Sequence, residues 1–391
     1  MEPLLTGFLI MFVGITVIPP VARRVGIPVI VGEIIFGIVV GKSFLDAIPE
    51  NEIVDFFSSF GLVYLMFLAG LEVDFGQVRR GFLKPLSIAG ASLAVPFTAG
   101  AALGEVVDVH PLLLGTILST TSLGLVLPIV RDMQSNERMA QFLLVSVTLV
   151  DIASMFLLAF SIGAVQGDLG VEFLYSFLLI LVLFFLPWVV GRRVVKEKIV
   201  DRLSQEGYFE TEVRLAFALV FLLTVVAEEL GYHGIVGAFI AGLIVAEIFP
   251  AIAPPIEEKL ESFGYGFFIP LFFIIVGSNV NLPSLFSSTG SLTALALIVT
   301  VGLLSKAVGV SAASWLLRFS VRESLAFGLF HMARLSLIIA AAEIALDLEM
   351  IGENIFSMLV LLALVSGLVG PTLGKLVLER GKAVETSTPV T

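Results

Sequence analysis

Asp151, Lys306 and Arg334 are ionisable residues set deep within apolar stretches of this 391-residue chain. Of its 22 lysines and arginines, Lys306 and Arg334 alone lie away from the edges of such stretches. A charge at mid-bilayer costs at least a few kcal/mol even on lenient insertion scales, so ionisable groups there mark ion or proton pathways. Desolvation makes a carboxylate hold its proton more firmly, and a nearby cation has the opposite effect. Asp151 can therefore hold either a proton or a monovalent cation, as an exchanger's site must. Lys306 stands between Ser305 and Gly309 with two kinds of partner open to it, Asp151 or backbone carbonyls. Paired with Asp151, it would compete with an entering cation. Arg334 cannot give up its proton and is a fixed charge, suited to neutralising helix carbonyl ends.

Other polar residues in apolar surroundings are accessory candidates. Ser119-Thr120-Thr121-Ser122 offers hydroxyls that can ligate an ion or satisfy freed backbone groups. Glu33 is read first as hydrogen-bonded or paired at a helix interface, and second as part of a transport path. His331, one turn from Arg334, is read as a hydrogen-bonded structural histidine, with pH sensing as the alternative. Ser336 follows close behind. Glu228, Glu229 and Glu343 read as solvated span ends. No P-loop, haem or zinc spacing appears, the chain has no cysteine, and no cofactor is expected.

The elements that must position these groups are membrane helices. Hydrophobic residues make up 58% of the chain. Thirteen apolar stretches recur, at about 4–20, 27–41, 53–71, 85–104, 111–130, 139–164, 173–191, 214–230, 234–249, 262–277, 291–317, 323–345 and 355–378. Spans 2 and 10 are the short ones. Lipid offers the backbone no hydrogen-bond partner, so the spans must be helices. The sequence predicts an all-α polytopic membrane protein, with one transmembrane domain over 1–378 and a disordered cytoplasmic tail over 379–391. Met1-Glu2 and the Pro19-Pro20 pair do not resemble a cleavable signal. Outside the spans, every basic residue except Lys42 falls in the odd-numbered loops or the C-terminal segment. Basic loops stay cytoplasmic, which places the N-terminus outside and the C-terminus inside a cell (inner) membrane. The net charge of −11 comes largely from external loops and does not suggest a nucleic-acid partner.

The chain also repeats itself. Ile30-Val31-Gly32 through Gly37 in span 2 matches Ile235-Val236-Gly237 through Gly242 in span 9. Gly70-Leu71-Glu72-Val73-Asp74 after span 3 is echoed by Gly277-Ser278-Asn279-Val280-Asn281 after span 10. An offset of seven helices inverts the second copy, giving six-helix repeats over spans 1–6 and 8–13 joined by span 7. Secondary transporters use such repeats, with broken helices crossing at mid-membrane. Spans 5 and 12 are the corresponding interrupted pair: Ser119–Ser122, Gly124 and Pro128 in one, Gly328, His331, Arg334 and Ser336 in the other.

With these motifs the chain resembles the cation:proton antiporter superfamily. The resemblance is to its second branch, which holds the Kef-type potassium/proton and the thirteen-helix sodium/proton antiporters. The carrying stretches are Ile27–Glu33 with Gly37 and Gly41, Gly61–Glu72, Ser119–Pro128, Gly234–Gly242, Pro270–Phe273 with Gly277, and Lys306. The resemblance implies a mobile core of spans 4–6 and 11–13 against a scaffold that forms a homodimer. It makes Asp151 the essential carboxylate, Lys306 its basic partner and Arg334 the broken-helix arginine. Members usually carry a polar or acidic residue before that aspartate, where this chain has Val150. They commonly follow the arginine with Gly-Glu, where this chain has Leu335-Ser336. No regulatory nucleotide-binding domain is expected here. The expected activity is exchange of sodium or potassium for protons by alternating access, electroneutral at one cation per proton because the site has one carboxylate. Two other readings stand beside it: a sodium-coupled organic-anion symporter of the same fold, and a non-transporting membrane sensor or structural subunit.

Overall fold

A computed structural model describes residues 2–73, 83–132, 137–166, 170, 175, 177–183, 211–248 and 253–385. Among the described residues there is no strand. Twelve of the thirteen expected spans coincide with helices. Span 7 lies largely outside the described residues, as do the basic clusters at Arg79-Arg80 and 192–202.

The helices are α1 (Glu2–Val25), α2 (Val29–Val40), α3 (Glu52–Leu71), α4 (Leu83–Val107), α5 (Pro111–Ser119), α6 (Leu123–Asp132), α7 (Glu137–Val165), α8 (Thr211–Glu229), α9 (Gly234–Ile248), α10 (Ala253–Phe263), α11 (Ile269–Asn279), α12 (Leu282–Phe286), α13 (Thr289–Leu316), α14 (Val321–Met332), α15 (Ser336–Asp347) and α16 (Glu353–Glu385). Their starts carry local signals. Asn51 accepts from the Ile53 and Val54 amides ahead of α3. Ser320 and Glu323 form a capping box at α14. Eight stretches of described helix are long and apolar enough to cross a membrane, and Val29–Val40, Pro111–Val126 and Gly234–Glu247 are shorter apolar helices.

Two span edges differ from expectation. Span 10 is not short: α10, a π-helical turn over Gly264–Phe268 and α11 run on continuously. The added turns contain Pro254, Pro255, Glu257, Glu258, Lys259 and Glu261, which hydropathy reads as loop. The last helix likewise continues past Leu378 to Glu385.

Packing gathers the helices into two groups. α4 lies against α5, α7 and α13, and α14 lies against α13 and α16. In the other group α2 packs on α1 and α11, while α9 packs on α3 and α8. The α2–α11 and α3–α9 contacts are backbone-close because four glycines sit there. A Cβ on Gly37 would strike the Ile274 carbonyl, and one on Gly277 the Ile34 carbonyl. In the other pair, a Cβ on Gly242 would strike the Phe67 carbonyl and one on Gly70 the Phe239 carbonyl. Small residues let membrane helices approach this closely, and dispersion then does the work that hydrophobic burial does in water.

Span 5 breaks between α5 and α6, and span 12 between α14 and α15. In the first break the Thr120 hydroxyl turns back to the Ile117 carbonyl at 2.9 Å, and Thr120 itself is extended. In the second, Ala333 is extended and Leu335 takes φ −141°, ψ −67°. The breaks cross each other: the Ser122 amide donates to the Ala333 carbonyl at 3.1 Å, and the Ser122 and Ser336 hydroxyls meet at 3.2 Å.

Candidate ion-binding site

A broken helix leaves unpaired carbonyls at one half-end and unpaired amides at the other, with partial charges of opposite sign. At this crossing each half-end of span 5 receives charges of the complementary sign. The α5 end is met by two cations. Lys306, fully buried on α13, donates its Nζ to the Ser119 carbonyl and, at 2.6 Å, to the Thr120 carbonyl. Arg334, also fully buried, donates Nη1 to the Leu118 carbonyl at 2.7 Å and Nη2 to the Gly302 carbonyl. Its own carbonyl accepts from the Ser366 hydroxyl at 2.9 Å. The α6 end is met by the carboxylate: Asp151 Oδ2 accepts from the Leu123 amide at 3.0 Å.

Of the two partners open to Lys306, the structure has the backbone carbonyls. Among the described residues no ion pair joins Lys306 to Asp151. Lys306 acts on Asp151 through space, with its donors committed to the α5 carbonyls.

Asp151 Oδ1 has no hydrogen-bond partner among the described residues, and neither do the buried Thr121 and Ser154 hydroxyls. Ser154, one turn beyond Asp151, was not singled out from the sequence; its spacing of three on α7 is the signal that could have found it. Thr120 and Ser122 spend their hydroxyls on Ile117 and Ser336 respectively, leaving Thr121 as the uncommitted member of the set. Val150 is fully buried, so Asp151 has no acidic or polar residue before it. His331 is fully buried, with Ser92 at 3.1 Å from Nδ1 and Ser146 at 3.0 Å from Nε2, the environment of a structural histidine.

A cavity of about 670 Å³ opens onto Asp151 between the two groups of helices. Its wall includes Ser122, Leu123 and Ser336 from the crossing, Glu33 from α2, and Arg23, Glu72 and Lys375. Glu33 is 3% exposed and faces this cavity, and no described residue holds it in a hydrogen bond or ion pair. The interface-pairing reading of Glu33 therefore has no partner to support it. Glu343 corrects another expectation: it is buried at 8% exposure with Oε2 unpartnered, not solvated. It lies two turns into α15, a helix enclosed by other helices, and sequence position near a span end does not report that enclosure.

A family model for the sodium/hydrogen exchanger transmembrane region matches residues 8–380. The chain belongs to the sodium/hydrogen exchanger family. It is 31% identical over 390 residues to the putative Na(+)/H(+) antiporter YjbQ of Bacillus subtilis, covering 94% of this chain and 62% of that protein. The chain thus spans less than two thirds of that relative's length. It is 28% identical over 386 residues to the probable Na(+)/H(+) antiporter 3 of Methanocaldococcus jannaschii, covering 96% of this chain and 97% of that one. Among solved structures, the sodium proton antiporter MjNhaP1 from Methanocaldococcus jannaschii shares the fold, with a TM-score of 0.69 at 16% identity and 97% and 98% of the two chains covered. This exchanger-family chain is a multi-pass membrane protein of transporter fold.

Proposed function

We propose that the protein exchanges a monovalent cation, sodium or potassium, for protons by alternating access, with Asp151 as the group that carries both in turn. The observation that carries this reading is the Asp151 carboxylate: one oxygen is anchored on the α6 amide end and the other is unpartnered, beside a cavity between two packed groups of helices. Thr121 and Ser122 supply further oxygens at the crossing, and Lys306 and Arg334 hold the α5 carbonyls so that these do not compete for the cation. With Val150 in front, one carboxylate means one cation against one proton, an electroneutral cycle.

The moving body in this reading is the group of α4–α7 and α13–α16. The other group is the scaffold and the surface for a homodimer. An inverted repeat relates the halves, and the glycine contacts support it. Under the sequence match Gly37 corresponds to Gly242, Gly70 to Gly277, Ile34 to Phe239 and Phe67 to Ile274. Each glycine–carbonyl contact then has its counterpart in the other half. Arg23 and Lys375 at the cavity mouth belong to the basic face, so the cavity opens to the cytoplasm, with the N-terminus outside.

Purified protein in liposomes, loaded with a pH-sensitive dye and given an outward or inward sodium or potassium gradient, should show counter-movement of protons. Absence of any response to either cation at every pH between about 6 and 9 would overturn the reading.

A further inference from the structure

Glu33 has no assigned task, yet its position is costly. An ionised carboxylate buried without a partner carries a desolvation penalty of several kcal/mol in real proteins. Glu33 is 3% exposed, and no described residue pairs with it. Its side chain lines the same cavity as Asp151, from the opposite wall: Val29, Ile30 and Glu33 form one face of α2, while Asp151 stands on α7. The intervening wall is mostly apolar, with Leu65, Leu123 and Pro270 among its residues. Low-dielectric walls of this kind focus the field of the charges they enclose and raise the local concentration of counter-ions by ~10-fold or more. Arg23, Glu72 and Lys375 lie on the same lining as Glu33 and Asp151. Of these last two carboxylates, Glu33 is 3% exposed and Asp151 has an oxygen without a partner among the described residues.

We propose that Glu33 is a second cation-binding carboxylate, a staging site on the scaffold wall where an incoming alkali cation is held before it passes to Asp151. The inference rests on the exchange reading above. Because Glu33 stands on the stationary group and Asp151 on the moving one, a cation held at Glu33 would load Asp151 only while the cavity faces this side. Staging raises capture and leaves the carrying step to Asp151.

Two measurements test it. In liposomes, Glu33→Gln should raise the KM for sodium about tenfold, with the maximal rate changed by less than about twofold, and Glu33→Asp should restore most of the affinity. In detergent, Asp151→Asn protein should still show a sodium-dependent rise in thermal midpoint against choline chloride, and Asp151→Asn with Glu33→Gln should lose it. A wild-type KM in Glu33→Gln would overturn the staging site while leaving exchange intact. So would a purely maximal-rate defect shared by Glu33→Gln and Glu33→Asp, which marks a structural role. If Glu33→Gln does not fold, the absence of a sodium shift in Asp151→Asn protein overturns the proposal by itself. Failure of wild-type exchange would sink the parent reading instead, and the detergent measurement would still report on Glu33.

Discussion

Lys306 could be found from sequence but its partner could not. A lysine in an apolar span is visible as such, and so are Asp151 and Arg334. The carbonyls that Lys306 binds exist as free acceptors only because α5 stops at Ser119, and they reach it only once span 5 lies beside span 11. This changes what a mutation should do. Lys306→Met leaves the Ser119 and Thr120 carbonyls without their donor in a dry site, a loss of about 2–4 kcal/mol. The thermal midpoint in detergent should fall accordingly, while sodium affinity shifts by less than about threefold because no direct ion pair with Asp151 is released. An undiminished midpoint together with sodium binding tightened tenfold or more would mean that Lys306 and Asp151 compete directly after all.

At the scale of elements, the break in span 5 was legible because serine and threonine hydroxyls offer the backbone an alternative to the helix. Thr120 does so at the Ile117 carbonyl. The extent of span 10 was not legible, since charges and prolines in α10 conceal a helix that runs on into the apolar stretch. The matched glycine spacing was visible in the sequence, and the contacts give that spacing a physical reason: each glycine admits a carbonyl of its neighbour. Gly37→Ala and Gly242→Ala should each push a helix pair apart, at a cost of about 1–3 kcal/mol. Nearly equal drops in thermal midpoint are expected if the two halves are structural counterparts. A large drop in one with none in the other would argue against the repeat.

For the whole molecule, the proposed cycle with Asp151 as its single carrying carboxylate has consequences that need no further structural detail. Cation and proton compete for one site, so the KM for sodium should rise about tenfold per pH unit once pH falls below the range where Asp151 titrates, with the maximal rate little changed. One charge in and one out leaves the cycle electroneutral, so a potassium–valinomycin potential should not alter sodium-driven exchange, given conditions in which potassium is not transported. A clear voltage dependence would mean that a second titratable group moves charge as well. What sequence could not convey at this scale is enclosure. Glu343 looks like an ordinary acidic residue near a span end, and only the packing of other helices around it reveals that it is buried.

The account stands or falls on Asp151. Wild-type and Asp151→Asn protein, purified to the same monodispersity and reconstituted at the same density, should be compared for sodium-driven proton movement in dye-loaded liposomes. Asparagine keeps the size of the side chain but can neither take a proton at working pH nor neutralise a cation, so exchange should fall below about a tenth of wild type while the protein still folds and inserts. Exchange persisting above that level in the Asp151→Asn protein would contradict the assignment of Asp151 as the carrier.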